Sequence, residues 1–384
     1  MTKPWFTNYP ENVAHEVDLS LYASLLDLFQ QTTAKYRQKT AYSNFGAELT
    51  FNQVDELSRD FAAFLQSELN IVKGERVALM CPNTLCFPVA MWGIIRVGGV
   101  QVNVNPMYTS RELEHQLNDA QVDTIIIFSP STKMLADIID NTGVKNIITV
   151  DLDDLVNKGL PCAAVDERLT NTISFVDALA QGKPLELSEP TLSQDDLLHL
   201  QYTGGTPGLS KGAMLSHGNL IANILQYEEF SKDHIDYGNE VVITAIPMYH
   251  IFALMANTLG YFYFGAKNVL VTNPRDMPGF VKELNKYDLD CEDLPKEATA
   301  KSLAPMIPQK NTLFCGNPDG EFSKYYSGDV LPLYRSFSYG NIWEHPENSV
   351  ESIVFCSPSA VRFAEDSLGL DYLQSKLISL KEKK

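Results

Sequence analysis

Residues 203–212 read Thr-Gly-Gly-Thr-Pro-Gly-Leu-Ser-Lys-Gly and combine three kinds of group that bind an anion. Gly204, Gly205, Gly208 and Gly212 permit positive φ and let backbone N–H groups approach phosphate oxygens. Thr203, Thr206 and Ser210 add hydroxyl donors, and Lys211 adds a compact positive charge. The same composition fits an ordinary Gly-rich hairpin with a solvated lysine, since Gly and Pro are the usual turn residues. A Walker loop is excluded. That motif places Gly-Lys-Ser/Thr after four spacers, whereas Lys211 here follows Ser210.

Such a loop needs rigid shoulders. An apolar run from Leu197 to Tyr202, broken only by His199 and Gln201, predicts a strand entering it. Gly212 to Ser216 predicts a strand leaving it. Upstream, the spacing of Leu25, Leu26 and Phe29 predicts a helix over 21–39, and 41–44 with 48–51 predicts a hairpin around Gly46. Thr50 to Gln53 and Thr109 to Glu112 read as capping boxes opening helices to about Leu69 and Asp119. Strands are predicted at 76–80, 100–104, 124–128 and 144–150, with helices at 83–98 and near 132–140. Residues 151–194 are less regular and read as a surface excursion. Beyond the loop come a helix at 218–230, a strand at 240–245, an apolar helix from Tyr249, a strand at 268–271 and a helix at 276–287. This alternation predicts an α/β fold, a doubly wound layer with parallel strands.

Of the histidines, His250 precedes the apolar helix, and its residues alone allow a satisfied core position. His217 reads as capping or packing at a helix start, and His115 as structural on a polar helix face.

The chain has 384 residues, 45% of them hydrophobic, enough for two or three domains with large cores. A formal charge of −18 argues against nonspecific nucleic-acid binding, which depends on basic surface. It leaves room for a nucleotide held by one cationic loop. The cysteines at 81, 86, 162, 291, 315 and 356 have no zinc spacing and read as reduced thiols of a cytosolic protein. Residues 1–12 are polar, without an apolar signal core. The apolar stretch 251–265 is shorter than the ~18 residues of a spanning helix and reads as a buried helix or pocket wall.

The longer pattern Tyr-Thr-Gly-Gly-Thr-x-Gly-x-x-Lys-Gly-Ala-Met-Leu-x-His, residues 202–217, resembles the phosphate-loop signature of the AMP-forming acyl-CoA synthetases, the long-chain fatty acid–CoA ligases among them. Blocks at 74–80, 104–109, 111–119, 247–253 and 272–276 carry the resemblance in order over residues 1 to about 287. It implies the doubly wound parallel sheets of the adenylate-forming ligase N-terminal body, here incomplete. It also implies ATP-dependent activation of a fatty acid through acyl-AMP to acyl-CoA, with ATP, Mg²⁺ and CoA as co-substrates. The implied location is cytoplasmic, with peripheral membrane contact for a lipid substrate. By the same resemblance Thr203, Gly204, Gly205, Thr206, Gly208, Ser210, Lys211 and Gly212 bind the nucleotide. Lys211 balances the β/γ-phosphates as the catalytic candidate, and His250 lies beside the acyl-adenylate pocket. No residue is assigned to a metal. One departure falls inside the motif. The family has Thr or Ser where this chain has Pro207, which lacks an N–H and a hydroxyl and biases Thr206 toward an extended conformation.

The resemblance divides the chain into a ligase N-terminal region, 1–287, and a divergent tail, 288–384. The family's Tyr-Gly-x-Thr-Glu and Thr-Gly-Asp blocks have only near misses here, at Tyr339-Gly340 and Ser327-Gly328-Asp329, in reversed order. Residues 312–315 and 352–356 read as short strands and 360–370 as a helix. Stretches 313–317 and 354–361 faintly resemble uroporphyrinogen-III synthase; a fused segment or a shifted reading frame would also account for the tail. The alternatives to a fatty acid ligase are therefore a nucleotide- or acyl-binding fragment without turnover and a tetrapyrrole-related tail activity.

Overall fold

The computed structural model describes Phe6, residues 9–203 and residues 210–287. The readings of the tail at 312–370 lie outside those residues. Residues 13–276 form one compact unit, and helix 277–284 belongs to a second.

Helix α1 (Leu25–Lys35) starts behind Ser24, whose hydroxyl accepts the Asp27 N–H at 3.2 Å. It is shorter than the predicted 21–39, because Leu19–Leu21 form a separate 3₁₀ turn. Strands β1 (Thr40–Asn44) and β2 (Ala47–Thr50) make the expected hairpin. Phe45 and Gly46 turn it with φ of 49° and 78°, the left-handed pair that matches strand twist in a two-residue loop. The Thr50–Gln53 capping box then opens α2 (Phe51–Ser67).

Strand β3 (Arg76–Met80) shows how the layers form. Val77 and Leu79 enter one core while Ala78 and Met80 enter another, as period-two alternation requires of a strand buried on both faces. Helix α3 (Cys86–Arg96) follows and is buried along its whole length. Its only charge, Arg96, is paired with Asp55 and Glu189. Strand β4 (Val100–Asn103), helix α4 (Ser110–Asp119), strand β5 (Thr124–Phe128), the short α5 (Thr132–Ala136) and strand β6 (Asn146–Val150) continue the alternation.

The stretch 151–194 departs from its reading as an excursion. It contributes strand β7 (Thr172–Ser174) and helix α6 (Phe175–Gly182). Ser174 caps α6 by accepting the Asp177 N–H at 3.1 Å. Strands β8 (Leu197–Thr203) and β9 (Lys211–Ser216) and helix α7 (His217–Ser231) come next. The seven-stranded sheet runs β7-β6-β5-β3-β4-β8-β9, parallel except for β9, which pairs antiparallel with β8.

Strand β10 (Val241–Thr244) and strand β11 (Lys267–Leu270) join β1 and β2 in a four-stranded sheet ordered β10-β11-β1-β2. Between them the predicted apolar helix is one short α-turn, α8 (Ile251–Ala253), continued as a π-helix over Leu254–Tyr261. The wide turn lets the Thr258 hydroxyl reach the Ala253 carbonyl, five residues back, at 3.2 Å. Its continuation brings Phe262 against Phe29, Trp92 and Tyr42, with ring centroids 5.6, 5.6 and 6.0 Å away. Those contacts join the apolar segment, α1, α3 and the small sheet in one core. Among the described residues no helix is long and apolar enough to cross a membrane.

Candidate nucleotide site

Strands β8 and β9 close on each other at the base of the motif, where Thr203 pairs with Lys211 and Tyr202 with Gly212. Thr203, Ser210, Lys211 and Gly212 therefore stand at the two shoulders, with Thr203 and Lys211 paired in the strands rather than in the predicted loop. Gly204, Gly205, Thr206, Pro207 and Gly208 lie outside the described residues. Lys211 is exposed, and among the described residues no carboxylate pairs with it. Its charge is available to an anion. Gly212 has a packing reason: a Cβ there would lie 2.9 Å from the ring of Tyr202.

Helix α4 buttresses this corner with three side chains. Its start is set by the Thr109–Glu112 capping box, with the Thr109 N–H bonding Glu112 at 2.8 Å. One turn on, His115 Nε2 lies 3.2 Å from the Ser210 carbonyl oxygen. A carbonyl only accepts, so Nε2 carries the proton. Gln116 Nε2 donates to the Asn103 carbonyl at 2.8 Å. Asp119 accepts the Tyr202 hydroxyl at 2.5 Å, and burial with this carboxylate pushes the phenol well above its ordinary pKa. By sequence His115 reads as structural on a polar face. Its contact is with the exit shoulder of the loop, 95 residues away in sequence, which no local spacing reveals.

Behind the shoulders lies a buried row of amides on β4 and β8. Gln101 Nε2 donates to Asn103 Oδ1 at 2.6 Å, and Asn103 Nδ2 donates to Gln201 Oε1 at 2.8 Å. Gln201 Nε2 in turn donates to the Tyr249 carbonyl at 3.2 Å. His199 shares this layer, fully buried, and desolvation pushes it down to about 3, so it is neutral.

His250 is exposed at the start of α8. Its Nδ1 accepts the Phe252 N–H at 3.3 Å, which leaves the neutral ring's proton on Nε2 as a donor. Partial desolvation lowers its pKa. The turn before it is held by Asn83, whose Nδ2 donates to the carbonyls of Thr244 and Ile246 at 2.9 and 3.0 Å. Its Oδ1 accepts the Met248 N–H at 2.8 Å. His217 does not join this group. It is buried, its Nδ1 accepts the Leu25 N–H at 3.1 Å, and desolvation pushes it down to about 4. Among the described residues no cluster of three or more His, Cys, Asp or Glu could hold a metal ion.

The AMP-binding enzyme family matches residues 29–291. A long-chain-fatty-acid–CoA ligase of Escherichia coli O157:H7 is 45% identical over 298 residues, covering 75% of this chain and 53% of that protein. One of Haemophilus influenzae is 43% identical over 306 residues, covering 76% and 54%. The chain thus spans about half the length of the curated relatives it matches. Among solved structures, a long-chain-fatty-acid–CoA ligase from Archaeoglobus fulgidus superposes with a TM-score of 0.59 at 24% identity, over 73% of this chain and 52% of that one. An anthranilate–CoA ligase solved with anthranoyl-AMP gives 0.60 at 19% identity, over 71% and 50%. At these identities the two structures establish the shared fold.

Proposed function

The chain belongs to the AMP-binding enzyme family, and from that premise we propose that its corner between β8, β9 and α8 binds ATP for the AMP-forming activation of a long-chain fatty acid. The observation that carries this reading is Lys211, exposed and without a carboxylate partner among the described residues, at the shoulder of a Gly- and Thr-rich loop. In the reaction a fatty acid carboxylate attacks the α-phosphorus of ATP, and pyrophosphate leaves. The CoA thiol then displaces AMP from the acyl carbon, giving the thioester. Both steps bring anions together, so positioning and cationic clamps on the phosphates matter more than covalent chemistry by the protein. Lys211 and the N–H groups of the 203–212 loop other than Pro207 are the clamp. The His250 Nε2–H, next to the Tyr249 carbonyl that Gln201 of β8 reaches, is the neutral donor offered to an acyl-adenylate. Mg²⁺ enters with ATP as part of the nucleotide complex. A fatty acid substrate fits a cytoplasmic protein that meets the membrane surface peripherally. Residues 1–287 are the ligase part of the chain, and 288–384 a separate tail.

The test is ATP–pyrophosphate exchange with palmitate. Exchange that disappears in Lys211→Ala supports the reading, and exchange unaffected by that change removes the loop from it. A second reading, nucleotide or acyl binding without turnover, is favoured by the sequence after Tyr287, where the family's ribose- and Mg²⁺-holding blocks have only misordered near misses. Losing one contact to transition-state charge typically costs about a hundredfold or more in rate. The expected outcome for the 384-residue chain is ATP binding with little thioester formed from palmitate, ATP, Mg²⁺ and CoA. Turnover near ~10 s⁻¹, a typical enzyme value, would exclude the second reading.

A further inference from the structure

Gln201 lies two positions before Thr203 on the strand that delivers the loop, and it is buried. Its amide has two different partners. Oε1 accepts from Asn103 Nδ2 at 2.8 Å, and Nε2 donates to the carbonyl of Tyr249 at 3.2 Å, the residue directly before His250. Asn103 is itself oriented, because its Oδ1 accepts from Gln101 Nε2 at 2.6 Å. The Tyr249 carbonyl only accepts, so the Nε2 end of the Gln201 amide faces the turn, and a reversed amide would set two acceptors there and two donors against each other at Asn103. Asn83 also holds this turn, but through Thr244, Ile246 and Met248, before Tyr249 is reached. Among the described residues Gln201 is a direct side-chain link between β8 and the residue preceding His250.

We propose that Gln201 is a positioning residue, setting the height and direction of His250 relative to the strand that carries the phosphate loop. The proposal rests on the reading that loop and histidine meet one acyl-adenylate. A neutral imidazole donor works only at hydrogen-bond distance, so a turn released from β8 loses the contribution of His250 while Lys211 keeps its own. Gln201 acts through His250, and its effect should vanish when His250 is gone.

The test is a double-mutant cycle on the full chain, with a non-hydrolysable palmitoyl sulfamoyl-adenosine as probe and calorimetric affinity as readout. Gln201→Leu should weaken the parent about tenfold and the His250→Ala variant less than about twofold, the two backgrounds showing equal melting shifts. Should Gln201→Leu fail to fold, Gln201→Glu enters the same cycle with the same expectation. It keeps an acceptor for Asn103 and, when ionised, sets a carboxylate oxygen rather than a donor against the Tyr249 carbonyl. Equal losses in the two backgrounds, or no loss in the parent, overturn the inference and leave the nucleotide-site reading intact. Failure of the parent to bind the probe overturns that reading and the inference with it.

Discussion

Lys211 could be singled out from its neighbours because the loop's composition has a direct chemical meaning, and its exposure at the β9 shoulder agrees with that reading. If it grips ATP, Lys211→Ala should cost about 1.5–3 kcal/mol of binding, the range of a charge-assisted hydrogen bond. Calorimetry with ATP would then show a drop of roughly tenfold to a hundredfold. Pro207→Thr should act in the opposite sense by returning an N–H and a hydroxyl to the loop, and the same titration would show tighter binding. His115 and Gln201 were less legible. One reads as a polar helix residue and the other as a break in an apolar run. Their partners, Ser210 and Tyr249, are distant in sequence, and a hydrogen bond across the fold leaves no trace in local periodicity.

At the scale of elements, capping chemistry was the most readable feature. The Thr50–Gln53 and Thr109–Glu112 boxes start helices where the residue types require. Strand β7 is three residues long and only partly buried, so it leaves no alternation in the sequence. Helix α6 after it packs on α2 through Gly182, where an added Cβ would overlap the Asp60 carbonyl oxygen. That oxygen belongs to the backbone and cannot swing aside. Gly182→Ala should therefore push the two helices apart, at a cost of about 1–3 kcal/mol, the usual range for overpacking. Urea unfolding should show a lower midpoint with an unchanged slope. The π-helix is a different kind of miss. Hydrophobicity marked 251–265 as buried and helical, but the five-residue reach of Thr258 to Ala253 is a matter of packing. The turn width is therefore not written in the apolar pattern.

For the whole molecule, alternation of strands and helices pointed to parallel α/β layers, but not to two sheets. β1 pairs with β11 across more than two hundred residues. Nothing local says which sheet a strand joins. The assembled fold also buries two histidines, His199 on β8 and His217 at the start of α7, whose pKa values fall to about 3 and about 4. Burial is the larger cause in each. Unfolding exposes both rings to water, where the ordinary value is about 6.5. Below that pH the unfolded chain binds protons that the folded chain does not, so stability must fall as pH falls. The loss begins near pH 6.5 and continues toward the folded values, at up to about 1.4 kcal/mol per pH unit for each ring. Asp166, held down to about 2 chiefly by its bond with Arg168, destabilises in the same direction but only through the carboxylate range below about pH 4. In the interval from pH 6.5 to 4.5 the histidines carry most of the change, with His250, whose pKa desolvation also lowers, adding in the same direction. Urea unfolding of the 384-residue chain across that interval should show a falling midpoint at nearly constant slope. In His199→Asn the fall should be shallower, because one buried base no longer has to stay neutral. A pH-independent midpoint would show that the two rings are charged, or reached by water, in the folded protein.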